Sequence, residues 1–173
     1  METLATKYFI KATDAYPFNL EETIEALDYA LSYDETHAGA HCLMGNVCLY
    51  YTLDYGAALY HFEQAMANDL NYTDTYYGYI SLLLITGEYA KAHRLLTYAK
   101  KVKGIRQHRL LMLETELYER EGKLTKAKRT LHVAFLQCLS TVDMEDVERA
   151  QERIKKKFKA KRSKAKKRKK ANK

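Results

Sequence analysis

His37 and His41 stand four residues apart, the spacing that sets two imidazoles on one helix face, as a metal pair requires. No third ligand is spaced to join them, so the pair reads as a solvated or half-buried feature. Cys42, Cys48 and Cys138 show neither CxxC spacing nor the even count of a disulfide framework; they suit small buried hydrophobes in a reducing compartment. Glycine-rich phosphate loops, GxSxG and HExxH are absent, which leaves no enzyme signature and implies no cofactor.

The side chains with the clearest chemistry are cations. Residues 155–173 read KKKFKAKRSKAKKRKKANK, thirteen Lys or Arg among nineteen residues and no carboxylate. Mutually repelling charges add nothing to a compact fold, so an anionic partner is their natural counterpart. Residues 1–154 hold 16 basic against 22 acidic side chains, and no Lys or Arg lies between Lys11 and Lys91. Twelve Asp or Glu fall in that interval. The chain is therefore a charge gradient, acidic at first, mildly basic over 91–154 and cationic at its end.

These cations need a scaffold. One Pro, seven Gly and apolar residues spaced by three and four predict an all-helical chain of one domain's size. A repeat of 34 to 35 residues runs through it. Ala30, Ala65, Ala99 and Ala134 form one column; Leu27, Phe62, Leu96 and Leu131 form another, three residues earlier. Leu20, Tyr55, Tyr89 and Leu124 form a third, and Thr23, Ala58, Ala92 and Ala127 a fourth. Small residues in the last column let two helices approach, while the bulky residue four later fills the adjoining gap. Ser140 to Asp143 reads as a helix start, followed by an apolar stripe of Met144, Val147, Ile154 and Phe158.

This pattern resembles the tetratricopeptide repeat family. The clearest unit is YYGYISLLLITGEYAKAHRLLTYAKK, with Tyr76 at the family's large aromatic position, Gly87-Glu88-Tyr89 at the turn, and Ala92, Leu96 and Ala99 on the second helix. The family's terminal proline is missing from every unit, and the first unit matches least well. The resemblance covers roughly residues 4–140. It implies an all-α fold, a right-handed α-solenoid of about four helical hairpins. The expected organisation is a repeat domain over 1–140, a capping helix over 141–158 and a polybasic tail over 159–173.

The resemblance also implies peptide capture in a concave groove lined by first helices. By register, the groove would hold Asn46 and Tyr50, then Tyr77, Ser81 and Leu84, then Arg109, Met112 and Glu116, with Cys42, Leu49, Asp74 and Glu119 beside them. Asn46 and Arg109 match the family's carboxylate clamp. Cys42, Gly78 and Leu113 depart from it, so on charge grounds a basic or amphipathic segment suits this groove better than a chaperone C-terminus. Most of the fifteen tyrosines read as packing residues.

A second surface is expected on the outer side. Lys91 and Lys126 share one repeat position, and Arg94 and Arg129 another, forming a ladder of cations. With Lys155, Lys156, Lys157, Lys159, Lys161, Arg162, Lys164, Lys166, Lys167, Arg168, Lys169 and Lys170 they would make a surface for a phosphate backbone, RNA above DNA. Phe158 is the tail's one aromatic, which predicts phosphate contacts with little base readout. An anionic membrane is disfavoured because the last helix is weakly hydrophobic and no lipidation signal is present. The sequence thus predicts a non-enzymatic adaptor that joins a protein to RNA, ribosomal RNA included. The alternatives are a protein-only scaffold for a basic client, its tail acting as plug or address, and self-association of the tail with the acidic repeats of another copy. A cytoplasmic location is expected, or a nuclear one in a eukaryote.

Overall fold

The computed structural model describes residues 3–138 and 140–171, with side chains through Ser163. Among them are nine α-helices and no strand: α1 (Leu4–Ala15), α2 (Leu20–Tyr33), α3 (Ala38–Val47), α4 (Tyr55–Asn68), α5 (Thr73–Ile85), α6 (Tyr89–Ala99), α7 (Gln107–Arg120), α8 (Leu124–Phe135) and α9 (Thr141–Ala171). A π-helical turn, Cys48–Thr52, continues α3. The column Leu20, Tyr55, Tyr89 and Leu124 supplies the first residue of α2, α4, α6 and α8.

Local chemistry sets these starts. The Asn19 and Asp54 side chains accept the backbone N–H groups of Glu22 and Ala57, at 3.2 and 2.9 Å, satisfying donors that the first turn leaves unpaired. Helix ends are as regular. Asp34 and Asp69 follow α2 and α4, and each folds its carboxylate back onto a backbone N–H two residues on, at 2.9 and 2.8 Å. Gly87 and Gly122 close α5 and α7 with φ of 80° and 74°, each letting the next residue's N–H reach a carbonyl five residues back at 2.8 Å.

The chain divides into two compact units, one up to Glu88 with Lys101–Gly104, the other Tyr89–Lys100 and Ile105 onward. In the first, α1 packs on α2, α2 on α3, α3 on α4 and α4 on α5. Ala26, Leu27, Ala30, Val47, Leu49, Ala58 and Phe62 form its buried centre. Phe62 is fully buried beside two glycines, and a Cβ added to Gly45 or Gly78 would come within 2.8 or 2.6 Å of its ring. Only glycine at these positions admits the Phe62 ring of α4 this close to α3 and α5.

In the second unit α6 packs on α7, α7 on α8 and α8 on α9. Ser140 starts α9, its hydroxyl accepting the Asp143 N–H at 3.1 Å. Val147, Ala150 and Ile154 seal the α9 face against Ala127, Leu131 and Ala134. The expected stripe is corrected at one end, for Met144 is 42% exposed and Ala150 takes the inward place. The helix runs without a break through position 158, where the sequence suggested that the capping helix would end.

Candidate polyanion-binding surface

Glu119 organises the cationic end of the second unit. It lies on α7 with its side chain 3% exposed, and two residues of α9 converge on it. The Arg153 guanidinium donates three hydrogen bonds at 3.0, 3.0 and 2.9 Å, and the Lys157 ammonium stands at 2.7 Å. Burial alone would push the Glu119 carboxyl upward; the hydrogen bonds and charges of Arg153 and Lys157 outweigh it and hold the group below its usual range. Two of the chain's many cations are thus committed to the fold. They stand four residues apart on one face of α9 and link that helix, which packs on α8, to α7.

Further described cations of α9 face water. Lys156, Lys159, Lys161 and Arg162 are exposed, and Lys155 pairs with Glu152 at 3.1 Å. The side chains of Lys164, Lys166, Lys167, Arg168, Lys169 and Lys170 lie outside the described residues, though the helix backbone carries through them. On α6 and α8, Lys91, Arg94, Lys126 and Arg129 are all exposed. Lys126 sits 5.5 Å above the Tyr118 ring. A brace beside it joins the end of α7 to α6, with Glu121 receiving His93 at 3.2 Å and Lys123 at 2.9 Å.

The groove residues expected from register fall in both units. In the first, Asn46 is half-buried with its amide 3.9 Å from the Cys42 sulfur, Tyr50 is exposed in the π-helical turn and Ser81 is half-buried. Tyr77 and Leu84 are 6% and 1% exposed, so their side chains are closed to a ligand in this conformation. In the second, Arg109 is exposed, Met112 packs beside the α8–α9 core and Glu116 pairs with Arg120 at 2.8 Å.

The histidine pair separates. His37 caps α3, its Nδ1 accepting the Ala40 N–H at 3.0 Å. His41 instead meets His61 of α4, Nδ1 to Nδ1 at 3.0 Å, while its Nε2 bonds the Glu35 carbonyl at 2.9 Å. Among the described residues no group of three or more His, Cys, Asp or Glu is placed to hold a metal. Burial pushes the Cys42 thiol up to about 12 and raises Cys48 and Cys138 as well, which keeps all three protonated and poorly nucleophilic.

Sequence reasoning missed the pairing of Arg153 and Lys157 with Glu119 and that of His41 with His61. The i, i+4 spacing of Arg153 and Lys157 was the available signal for the first. No family model matches the chain, and no similar curated protein or solved structure is found. Among the described residues no helix is long and apolar enough to cross a membrane.

Proposed function

We propose that this chain is a non-enzymatic adaptor built from tetratricopeptide-like hairpins in a right-handed α-solenoid, holding RNA through the cationic face of α9 and a protein segment through its first helices. The repeat reading is supported by its columns: Thr23, Ala58, Ala92 and Ala127 are fully buried, and Leu27, Phe62, Leu96 and Leu131 are no more than 3% exposed. Second helices also begin 18 residues before the following first helix in three successive cases, Leu20 to Ala38, Tyr55 to Thr73 and Tyr89 to Gln107.

The observation that carries the RNA reading is the division of labour along α9. Arg153 and Lys157 are used to anchor the helix on buried Glu119, whereas the cations after them have no carboxylate within the rest of the sequence. Like charges four apart, such as Arg162 and Lys166 or Lys166 and Lys170, oppose an isolated helix by about 0.2–0.5 kcal/mol per pair. A phosphate backbone removes that opposition and releases its own counterions. Lysine dominates this stretch, with Arg162 and Arg168 its only planar forks for base edges after Phe158, which favours shape and phosphate over sequence.

The test is binding of a fluorescent RNA hairpin across a salt series, comparing the wild type with a full-length variant. In that variant Lys159, Lys161, Arg162, Lys164, Lys166, Lys167, Arg168, Lys169 and Lys170 become Gln. Arg153 and Lys157 are retained so that α9 stays docked. Steep salt dependence lost in the variant supports the reading; equal binding by both proteins contradicts it.

A further inference from the structure

The turns between paired helices carry an anomaly. Two residues before each second helix stand Phe18, Leu53, Gly87 and Gly122. Gly87 and Gly122 have left-handed backbone there, and so does Leu53, at φ 56°. A leucine in that region is strained where glycine is not. Its side chain gains no burial in return, being 60% exposed, and Phe18 in the equivalent turn is 93% exposed.

The two turns meet. Tyr16 and Tyr51 touch edge to face with ring centroids 5.8 Å apart, and Tyr50 and Tyr51 are 49% and 41% exposed. The π-helical turn Cys48–Thr52 is what delivers both tyrosines here, and such turns recur at functional sites. An apolar, aromatic edge kept on the surface at a cost in backbone strain marks an interaction surface. Its setting is acidic overall, since residues 1–88 hold only Lys7 and Lys11 against thirteen Asp or Glu and Lys11 is paired with Glu22 at 3.3 Å, so charge complementarity favours a cationic, apolar receptor over an anionic bilayer.

The second unit has one. Between α8 and α9 lies a cleft of about 510 Å³ with Leu131, Ile154 and Phe158 among its lining and Lys128, Lys155 and Arg162 at its sides. That volume falls within the range of small ligand pockets, large enough for aromatic side chains. Lys155 is balanced by Glu152 at 3.1 Å; Lys128 and Arg162 are exposed.

We propose that the edge formed by Phe18, Tyr51 and Leu53 docks in the α8–α9 cleft of a second copy, so that the chain associates head to tail. Such an interface is heterologous, leaving an unused edge on one copy and an unused cleft on the other, and growth continues past the dimer unless a ring closes. The proposal does not rest on the RNA reading, and because Arg162 belongs to both the cleft and the cationic face of α9, RNA bound there would compete with the docked edge.

Sedimentation velocity of nuclease-treated full-length protein over a concentration series tests it. The wild type is expected to grow past a dimer. Phe18→Ser with Leu53→Gly, which removes the edge and the strain, and Gln151→Trp, which obstructs the cleft from its exposed rim, should each weaken association tenfold or more. Leu53→Gly should also raise the melting temperature, so lost association cannot be unfolding. Mixed, the edge variant and the cleft variant retain one intact half-site each and should stop at a one-to-one dimer. A wild type that stays monomeric throughout, an edge variant that associates like the wild type, or a mixture that forms no dimer overturns the proposal.

Discussion

Arg153 and Glu119 lie 34 residues apart in sequence and form a three-bond contact in which the carboxylate is buried and the guanidinium is half exposed. Lys157 completes it at 2.7 Å. Glu119→Ala should cost about 2 kcal/mol, less than a fully buried pair because both cations can return to water. It should also loosen α9, which the packing of Val147, Ala150 and Ile154 on α8 still holds. The folded pKa of Glu119 is depressed, so its contribution is full above the unfolded value and is lost as pH falls through the folded one. Denaturant melts and limited proteolysis within α9 check this; an unchanged proteolytic pattern would count against the clamp.

Gly78 is set by Phe62. A Cβ there would lie 2.6 Å from the ring and 2.6 Å from the Asn46 amide oxygen, closer than atoms can approach without a shift. Gly78→Ala should destabilise by about 2 kcal/mol. Phe62→Leu should cost about 1–2 kcal/mol alone, and in combination the two should cost less than their sum, because the smaller side chain admits the methyl. A strictly additive pair of melts would rule out the steric account.

His61 gives the first unit a pH response. Burial lowers its pKa to about 4, with the His41 charge adding to the effect, and Tyr60 is the other ring beside it. A group kept neutral in the fold binds fewer protons than in the unfolded chain, so stability should decline as pH falls from about 6.5 toward 4. The melting temperature at pH 5 should lie below that at pH 7, and His61→Gln should reduce this difference. An identical drop in the variant would assign the response elsewhere.

Much of the scaffold is legible in the sequence because its columns are local. Leu20, Tyr55, Tyr89 and Leu124 open their helices where the spacing puts them, and the small residue three later is buried each time. Long-range partners are not legible in this way. Spacing pairs His37 with His41, but the fold pairs His41 with His61, since which helix lies opposite depends on packing. Leu53 carries no glycine signal for its left-handed backbone. Past Phe158 the chain has no apolar stripe, so periodicity is silent where α9 continues to Ala171. For the candidate surface, composition identifies the cations, and only the structure shows that Arg153 and Lys157 are tied to the Glu119 carboxylate.

The central claim concerns the other cations of α9. The direct measurement is the slope of log K against log salt for an RNA hairpin, wild type against the full-length variant with the nine cations from Lys159 to Lys170 changed to Gln. The account predicts a slope magnitude of about 4 or more for the wild type, corresponding to several neutralised phosphates, and near loss of binding at physiological salt for the variant with its melting temperature retained. Equal affinities and equal slopes for the two proteins would contradict it.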